Sequence, residues 1–332
     1  MTAEEKAQKD FEKKASDVIL GLNDKIKFQN QKRILIDTGS KENLIQIARK
    51  NKDVYKTYKE LLENDYILYF HQKTISKFYK RSSVSELFQR KDLLQHKGVF
   101  YTLDKPNGRK LNNKVNKKLI VIFSCMPNKQ TYDSSLMPNR MFPKFFEGIE
   151  RSLVKNVYTM RIMDLNCSHG SHYISTTNYP TFEEEIQESI LKVKEELEID
   201  ESDIVLYGGS KGATGAVYHG CAMDLKTLAV DPILNIGGEL EQNDRRFLKH
   251  LRRENLVPDI NQYLNQSNEF QKYIICSEQV EMYYKVTSLL ERDKIKMLNI
   301  LDPHIKYHPD ISRNTVPEQL TILNKLFNEK ML

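Results

Sequence analysis

A serine near the middle of the chain stands between an apolar run and a run of small residues. Residues 204–207 are typical of a buried strand, and they lead through the pattern G-x-S-x-G into a segment typical of a helix. Gly208 and Gly212 provide the space that a sharp turn between a strand and a helix needs. This order predicts a nucleophile elbow that exposes the hydroxyl of Ser210; the alternative is a glycine-rich turn or an anion-binding helix start.

Apolar runs and helical stretches alternate along the C-terminal two thirds of the chain. A long helix is predicted at residues 181–197. Strands are predicted at residues 119–123, 157–163, 204–207, 227–230, 272–276 and 296–301. Such alternation predicts an α/β fold, an α/β-hydrolase-like and mostly parallel sheet with helices on both faces. In sheets of this kind, sites form at the carboxyl ends of the strands.

The N-terminal third has a different pattern. Residues 1–31 are polar and predict a loosely held helical arm, whereas strands at 34–36 and 66–70 and a helix at 41–62 predict a small βαβ-like unit. A further helix is expected at 79–94, followed by a basic linker at 104–117. We therefore expect an N-terminal α/β appendage over residues 1–110 and a hydrolase-like catalytic domain over residues 111–332.

Composition and cysteine spacing indicate the cellular compartment. Of 332 residues, 39% are hydrophobic and 29% charged, and no stretch approaches the roughly 20 apolar residues of a membrane span. The four cysteines show no C-x-x-C spacing, so buried thiols are expected and no metal is implied. We expect the protein in the cytoplasm or at the inner face of the inner membrane.

Two basic clusters stand out against a modest net charge of +6. One spans residues 105–118 and includes Arg109, Lys110, Lys114 and Lys117. The second cluster consists of Arg245, Arg246, Lys249, Arg252 and Arg253. Both clusters could attract a polyanion or an anionic membrane surface, the alternative being a solvated loop and a solvated helix face. The spacing of the second cluster predicts one face of a helix that steers an anionic polymer toward Ser210. We expect no nucleic-acid partner.

A serine nucleophile needs a base and usually an acid that orients the base. His308 follows the last predicted strand, where α/β-hydrolases carry the base, and His304 is the second choice. Glu278 is the expected acid, although Val280 stands where an Asp is common. Glu281 and Asp231 are the alternatives, and Asp231 in an Asp-Pro pair also suits a turn.

The oxyanion of an acyl transfer would be stabilised by backbone N–H groups of the elbow and of a nearby loop. We expect the N–H of Lys211, next to Gly209 in the turn, to be one donor. The second donor should come from the loop after residues 119–123, which contains Cys125 and Met126. The side chains of Lys211, Arg140 and Arg161 could bind an anionic substrate group or be structural cations.

Three separated blocks carry a resemblance to a known family. Residues 207–220 (YGGSKGATGAVYHG), 124–128 (SCMPN) and 230–233 (VDPI) together resemble the XcbB/CpsF family of capsular polysaccharide biosynthesis proteins, over most of residues 95–320. The elbow and the final histidine are also similar to the α/β-hydrolase-fold acetyltransferase component of the accessory Sec system. The resemblance implies a cytoplasmic protein that acts on or beside a capsular polysaccharide or its precursor, with capsule glycosyltransferases as further partners.

These observations favour a serine-dependent acyl-group enzyme, either an O-acetyltransferase or an esterase, with Ser210 as nucleophile and His308 as base. No cofactor is expected beyond an acyl donor such as acetyl-CoA. The alternative is a capsule-assembly accessory protein that binds polymer or a glycosyltransferase without turnover. A glycosyltransferase-like enzyme is disfavoured because no D-x-D metal site stands out.

Overall fold

The computed structural model describes residues 19–29, 31–88, 90–106, 111–112, 114–236 and 244–328, which form two sheets with helices packed around them. The helical arm expected before residue 31 falls mostly outside the described residues, and Arg109 and Lys110 of the first basic cluster also lie outside them.

The N-terminal part forms a four-stranded sheet with the strand order β1-β2-β4-β3. Its elements are β1 Ile19–Gly21, β2 Arg33–Asp37, α1 Leu44–Ala48, α2 Lys52–Glu63, β3 Tyr66–Gln72 and β4 Ile75–Lys80. The single helix expected at 41–62 is divided because the Asn51 side chain accepts hydrogen bonds from the N–H groups of Asp53 and Val54 and begins a second helix. The two predicted strands are present, with antiparallel β4 between them.

The helix predicted at residues 79–94 is wrong. This stretch contains the end of β4, a short 3₁₀ helix over Arg81–Leu87 and the strand β5 over Leu93–His96. Phe78 in β4 has partners on both sides, Ile34 of β2 and Leu68 of β3. Backbone pairing with two neighbouring strands therefore outweighs the local helical pattern.

The larger sheet has eight strands in the order β12-β11-β10-β9-β7-β8-β6-β5. After β5, its strands are β6 Val99–Asp104, β7 Lys118–Phe123, β8 Val157–Ile162, β9 Ile204–Gly209, β10 Lys226–Val230, β11 Lys272–Cys276 and β12 Lys296–Asn299. The parallel strands are adjacent in the sheet: β12, β11, β10, β9, β7 and β8. At the other end of the sheet, β6 and β5 run antiparallel to their neighbours. The mostly parallel α/β sheet expected from the sequence is confirmed.

Helices cover both faces of this sheet. They are α3 Met137–Met141, α4 Phe182–Leu197, α5 Lys211–Ala222, α6 Val257–Gln266, α7 Glu281–Thr287, α8 His308–Asn314 and α9 Val316–Phe327. On one face, α4 and α5 pack through residues such as Ile190 and Ala216. On the other, α8 and α9 pack through Ile311 and Leu323, together with Phe145. The apolar strands are therefore buried on both sides, as parallel strands require.

The boundary expected near residue 110 does not separate the two sheets. Both β5 and β6 precede it in sequence, yet β6 pairs with β8 in the larger sheet, with Leu103 opposite Met160. In sequence order, β4 is instead the last strand of the small sheet. Its core also includes Phe247 and Leu251, which come from the segment after β10.

Candidate active site

Ser210 occupies a strained turn between β9 and α5. Its backbone has φ 56° and ψ −117°, a conformation that is costly for a residue with a side chain, and its N–H donates to the carbonyl of Val230 at 2.9 Å. A Cβ atom on Gly208 would lie 2.3 Å from the carbonyl carbon of Gly212, and one on Gly212 would lie 2.0 Å from the carbonyl oxygen of Phe123. The turn therefore requires glycine at both positions of the G-x-S-x-G pattern.

A chain of two short hydrogen bonds connects Ser210, His308 and Asp231. Ser210 Oγ lies 2.6 Å from His308 Nε2, and His308 Nδ1 lies 2.6 Å from Asp231 Oδ2. Because an ionised carboxylate only accepts hydrogen bonds, Nδ1 carries the proton and Nε2 is left to accept from the serine hydroxyl. This is the arrangement of a serine nucleophile, a base and an orienting acid.

Sheet topology brings these three residues together. Strands β9 and β10 are parallel neighbours, and Ser210 and Asp231 directly follow their carboxyl ends. His308 begins α8, after the loop that follows β12. The structure thus places Ser210 and His308 within hydrogen-bond distance, as the sequence predicted.

Glu278 is not the residue that orients His308, and this prediction is wrong. Its exposed carboxylate accepts a hydrogen bond from Asn299 Nδ2 at 3.0 Å, on the loop after β11. That loop is one strand farther from β9 than the loop that carries Asp231. The alternative Glu281 forms an ion pair with Lys285, and the second histidine His304 is exposed beside Asp302.

Burial dominates the electrostatics of Asp231. Its side chain is almost inaccessible to solvent, and this desolvation raises the pKa of the carboxyl above its usual value. The hydrogen bond from His308 acts in the opposite direction and offsets only part of the rise. Its second oxygen, Oδ1, is buried with no hydrogen-bond partner. The ring of Tyr283 packs against His308, with 4.5 Å between the ring centroids. Packing and one hydrogen bond therefore fix the orientation of the imidazole.

The expected oxyanion donors lie around the elbow. Lys211 is the first residue of α5, where backbone N–H groups have no partner within the helix. The loop after β7 approaches this helix closely, because a Cβ on Gly212 would lie 3.0 Å from the carbonyl oxygen of Ser124. Cys125 and Met126 follow in this loop and are half-buried, and burial raises the pKa of the Cys125 thiol.

Gly209 has a steric role within the turn. A Cβ at this position would lie 2.8 Å from Cζ of Phe145, which packs beneath the turn. A side chain here would displace this aromatic ring or the turn itself. Gly209 and Lys211 flank Ser210 in the turn, and Cys125 and Met126 lie in the loop after β7; their roles in binding the oxyanion stay a prediction.

The cationic side chains proposed for substrate binding form hydrogen bonds and an ion pair with other groups of the protein. Lys211 Nζ is buried 3.3 Å from Asp164 Oδ2 and donates to the carbonyl of His169. Arg140 is fully buried and donates to backbone carbonyls, including that of Ser168 at 2.9 Å. Arg161 donates to the carbonyl of Phe145 at 2.6 Å. Lys211 and Arg140 are therefore structural cations, whereas Arg161 is half-buried and also lines a cavity.

The second basic cluster does not form a helical face. Residues 244–253 follow a series of turns, and Arg252 forms a β-bridge with Thr176. Arg245 is exposed, Arg252 is buried, and Arg253 is paired with Glu183 and Asp259. The helical prediction is wrong because Phe247, Leu248 and Leu251 bury themselves in the core of the small sheet, which holds the segment in another conformation. No local sequence signal indicated this packing.

A cavity of about 550 Å³ lies next to β6 and β8, whose Thr102 and Thr159 line it. Among the described residues, its lining includes Ser124, Phe142 and Arg161 but no triad residue. Within the described part of the chain, no group of three or more metal-binding side chains occurs. No helix in that part is long and apolar enough to span a membrane.

Comparisons with known proteins show the fold. No protein-family model matches the chain. A search of curated proteins likewise finds no match. Membership of the XcbB/CpsF family therefore stays a prediction.

Solved structures that match the chain include enzymes and a glycosylation-associated protein complex. The capsule O-acetyltransferase of Neisseria meningitidis serogroup A matches with a TM-score of 0.46 and 14% identity, covering 69% of this chain and 93% of that one. The Gap123 glycosylation-associated complex of Streptococcus agalactiae matches with a TM-score of 0.50 and 16% identity over 78% of this chain and 52% of that one. An arylesterase matches at 0.44 and 12% identity over 86% and 96%. Of these three matches only the one with a TM-score of 0.50 bears on the fold, and at 16% identity it shows a shared fold and no activity. The α/β class follows from the eight-stranded, mostly parallel sheet itself.

Proposed function

We propose that this chain is a serine-dependent acyl-group enzyme, an O-acetyltransferase or esterase, that acts on a capsular polysaccharide or its precursor. The observation that carries the proposal is the hydrogen-bonded series from Ser210 through His308 to Asp231, built on a strained turn. The capsule substrate rests on the three sequence blocks that resemble the XcbB/CpsF family. We place the protein in the cytoplasm, where the capsule precursor and an acyl donor such as acetyl-CoA would meet.

The first half of the reaction transfers the acyl group to the enzyme. Ser210 Oγ attacks the carbonyl carbon of an ester or thioester while His308 Nε2 accepts the hydroxyl proton. Asp231 stabilises the imidazolium that forms. The backbone N–H of Lys211 and one from the loop of Cys125 and Met126 would donate to the tetrahedral oxyanion. His308 then returns the proton to the departing alkoxide or thiolate, which leaves as an alcohol or thiol, and an acyl ester remains on Ser210.

The second half regenerates the serine. His308 removes a proton from the incoming hydroxyl, whose oxygen attacks the acyl-serine carbonyl. A sugar hydroxyl gives an O-acylated saccharide, and water gives the free acid. In both cases His308 protonates Ser210 Oγ as it leaves, so the protons and the acyl group balance.

A fluorophosphonate probe tests the proposed nucleophile. We expect the wild-type protein to be labelled at Ser210, as mapped by peptide mass spectrometry, and Ser210→Ala to remain unlabelled. Ser312 lies close to the turn, since its Oγ would be 3.4 Å from a Cβ on Gly209. Ser312→Ala is therefore a matched control that should still label. A folded wild-type protein that never labels would contradict the proposal and favour the accessory role without turnover.

A further inference from the structure

Two buried side chains near the triad, a guanidinium and an imidazole, form a hydrogen-bonded pair. Arg252 is 3% exposed and His172 is 0% exposed, and Arg252 Nη1 lies 2.6 Å from His172 Nδ1. A guanidinium only donates, so Nδ1 of the imidazole accepts and Nε2 carries the proton. Burial and the neighbouring cations hold the pKa of His172 well below its usual range, in keeping with a neutral ring.

Within the part of the chain that the structure describes, three donor atoms here have no hydrogen-bond partner. They are Arg252 Nη2, His172 Nε2 and Arg246 Nε. Among the described residues, no carboxylate lies within ion-pair distance of Arg246 or Arg252, whereas the adjacent Arg253 is paired with Glu183 and Asp259. Buried donors and charges without partners are costly, so three of them together indicate a binding site for an acceptor that carries negative charge.

This donor cluster, defined as Arg246, Arg252 and His172, adjoins the catalytic histidine. Arg246 Nη2 donates to the hydroxyl of Tyr283 at 3.3 Å, and the ring of Tyr283 packs against His308. Burial lowers the pKa of Arg252 and the charge of Arg246 lowers it further, and the charge of Arg246 also lowers the pKa of the buried His172. The cluster therefore lies within electrostatic reach of the reacting serine and histidine.

We propose that Arg246, Arg252 and His172 bind a phosphate group of the acyl donor or of the saccharide acceptor. The proposal rests on the acyl-transfer function proposed above. A phosphate is favoured over a carboxylate because the donors come from three separate side chains, and a phosphate monoester presents three acceptor oxygens to them. The phosphate would hold the substrate while its carbonyl or hydroxyl reaches Ser210.

Inorganic phosphate is the direct probe, titrated into the full-length protein and followed by ³¹P NMR. We expect Arg246→Gln to bind phosphate about tenfold more weakly than wild type or worse, since a charge-assisted hydrogen bond is lost. The exposed neighbour Arg245 supplies the matched control, and Arg245→Gln should stay within about twofold of wild type on the same scale. Equal affinities for wild type and Arg246→Gln would overturn the proposal, as would an equal loss in Arg245→Gln.

Arg252 is buried, so its replacement by glutamine could disrupt folding. Arg252→Lys keeps the charge but removes the fork, and we expect it to bind phosphate about tenfold more weakly than wild type. Unchanged affinity in a folded Arg252→Lys protein would contradict the assigned role. The Ser210→Ala variant should bind phosphate like wild type, so failure of the acyl-transfer proposal can be recognised separately from failure of the phosphate site.

Competition identifies the source of the phosphate. If the acyl donor carries it, coenzyme A should displace inorganic phosphate from wild type, and Arg246→Gln should weaken coenzyme A binding. If the acceptor carries it, a sugar phosphate monoester should do so instead. Phosphate binding that neither compound displaces would overturn the assignment to a substrate.

Discussion

Asp231 Oδ2 lies 2.6 Å from His308 Nδ1, while its other oxygen is buried without a partner. All of the hydrogen bonding that this carboxylate makes through its side chain is therefore directed to the histidine. An acid placed in this way controls both the tautomer and the orientation of the base.

Replacing Asp231 should inactivate the enzyme far more than replacing Glu278. In Asp231→Asn, the amide can donate to Nδ1 and so favours the tautomer whose Nε2–H cannot accept the serine proton. We expect kcat/KM for an activated acetyl ester to fall about 10⁴-fold. Glu278→Gln is the control and should remain within about twofold of wild type, because its carboxylate meets only Asn299 among the described residues. Comparable losses in the two variants would contradict the assignment of Asp231.

The elbow should not tolerate a methyl group at Gly212. A Cβ there would lie 2.0 Å from the carbonyl oxygen of Phe123, a backbone atom that cannot move independently of β7. We expect Gly212→Ala to lower the free energy of unfolding by about 1–3 kcal/mol or more and to abolish activity. Gly21→Ala, where the nearest atom would be 3.4 Å away, should be close to neutral in urea unfolding. A fully active and stable Gly212→Ala would show that the turn can relax.

The ion pair between Lys211 and Asp164 should behave as one unit. Both side chains are fully buried, 3.3 Å apart, and burial raises the pKa of the Asp164 carboxyl. Lys211→Met should destabilise the protein by about 3–5 kcal/mol because it leaves a buried carboxylate uncompensated. The double variant Lys211→Met/Asp164→Asn should recover part of this loss. Urea unfolding of the two single variants and the double variant measures the coupling, and purely additive losses would argue against it.

Stability should fall on moderate acidification because of buried histidines. Burial lowers the pKa of His169 from its usual value of 6.5 to about 4. Between these values the unfolded chain binds more protons than the folded one, so this contribution to stability is full above pH 6.5 and decreases toward pH 4. Each such histidine adds up to about 1.4 kcal/mol per pH unit to the slope.

The variant His169→Asn isolates this contribution. We expect its free energy of unfolding, measured in urea at several pH values from 7 down to about 4.5, to depend less steeply on pH than that of wild type. The exposed His304 offers the control, since its side chain is 81% accessible and His304→Asn should leave the slope unchanged. An unaltered slope in His169→Asn would mean that this ring does not titrate between the two states as described.

Local sequence patterns were sufficient to predict the strand, turn and helix around Ser210 and the position of His308 after the last strand. The apolar run before Ser210 and the glycines around it determine a strand, a tight turn and a helix, because strand burial and close backbone approach depend on neighbouring residues. The order of strands also placed His308 after the last one. These features depend on the period of hydrophobic residues and on turn chemistry, both of which are local.

Tertiary structure alone decided which acid meets His308 and which cations are free to bind substrate. Asp231 is selected over Glu278 because β10 is the neighbour of β9 in the sheet, and strand order is not a local property. In the same way, core packing of Phe247 and Leu251 turns the segment after β10 into a non-helical path that buries Arg252 beside His172. Side-chain spacing along the chain determines which elements form; the pairing of distant strands determines which charged groups meet.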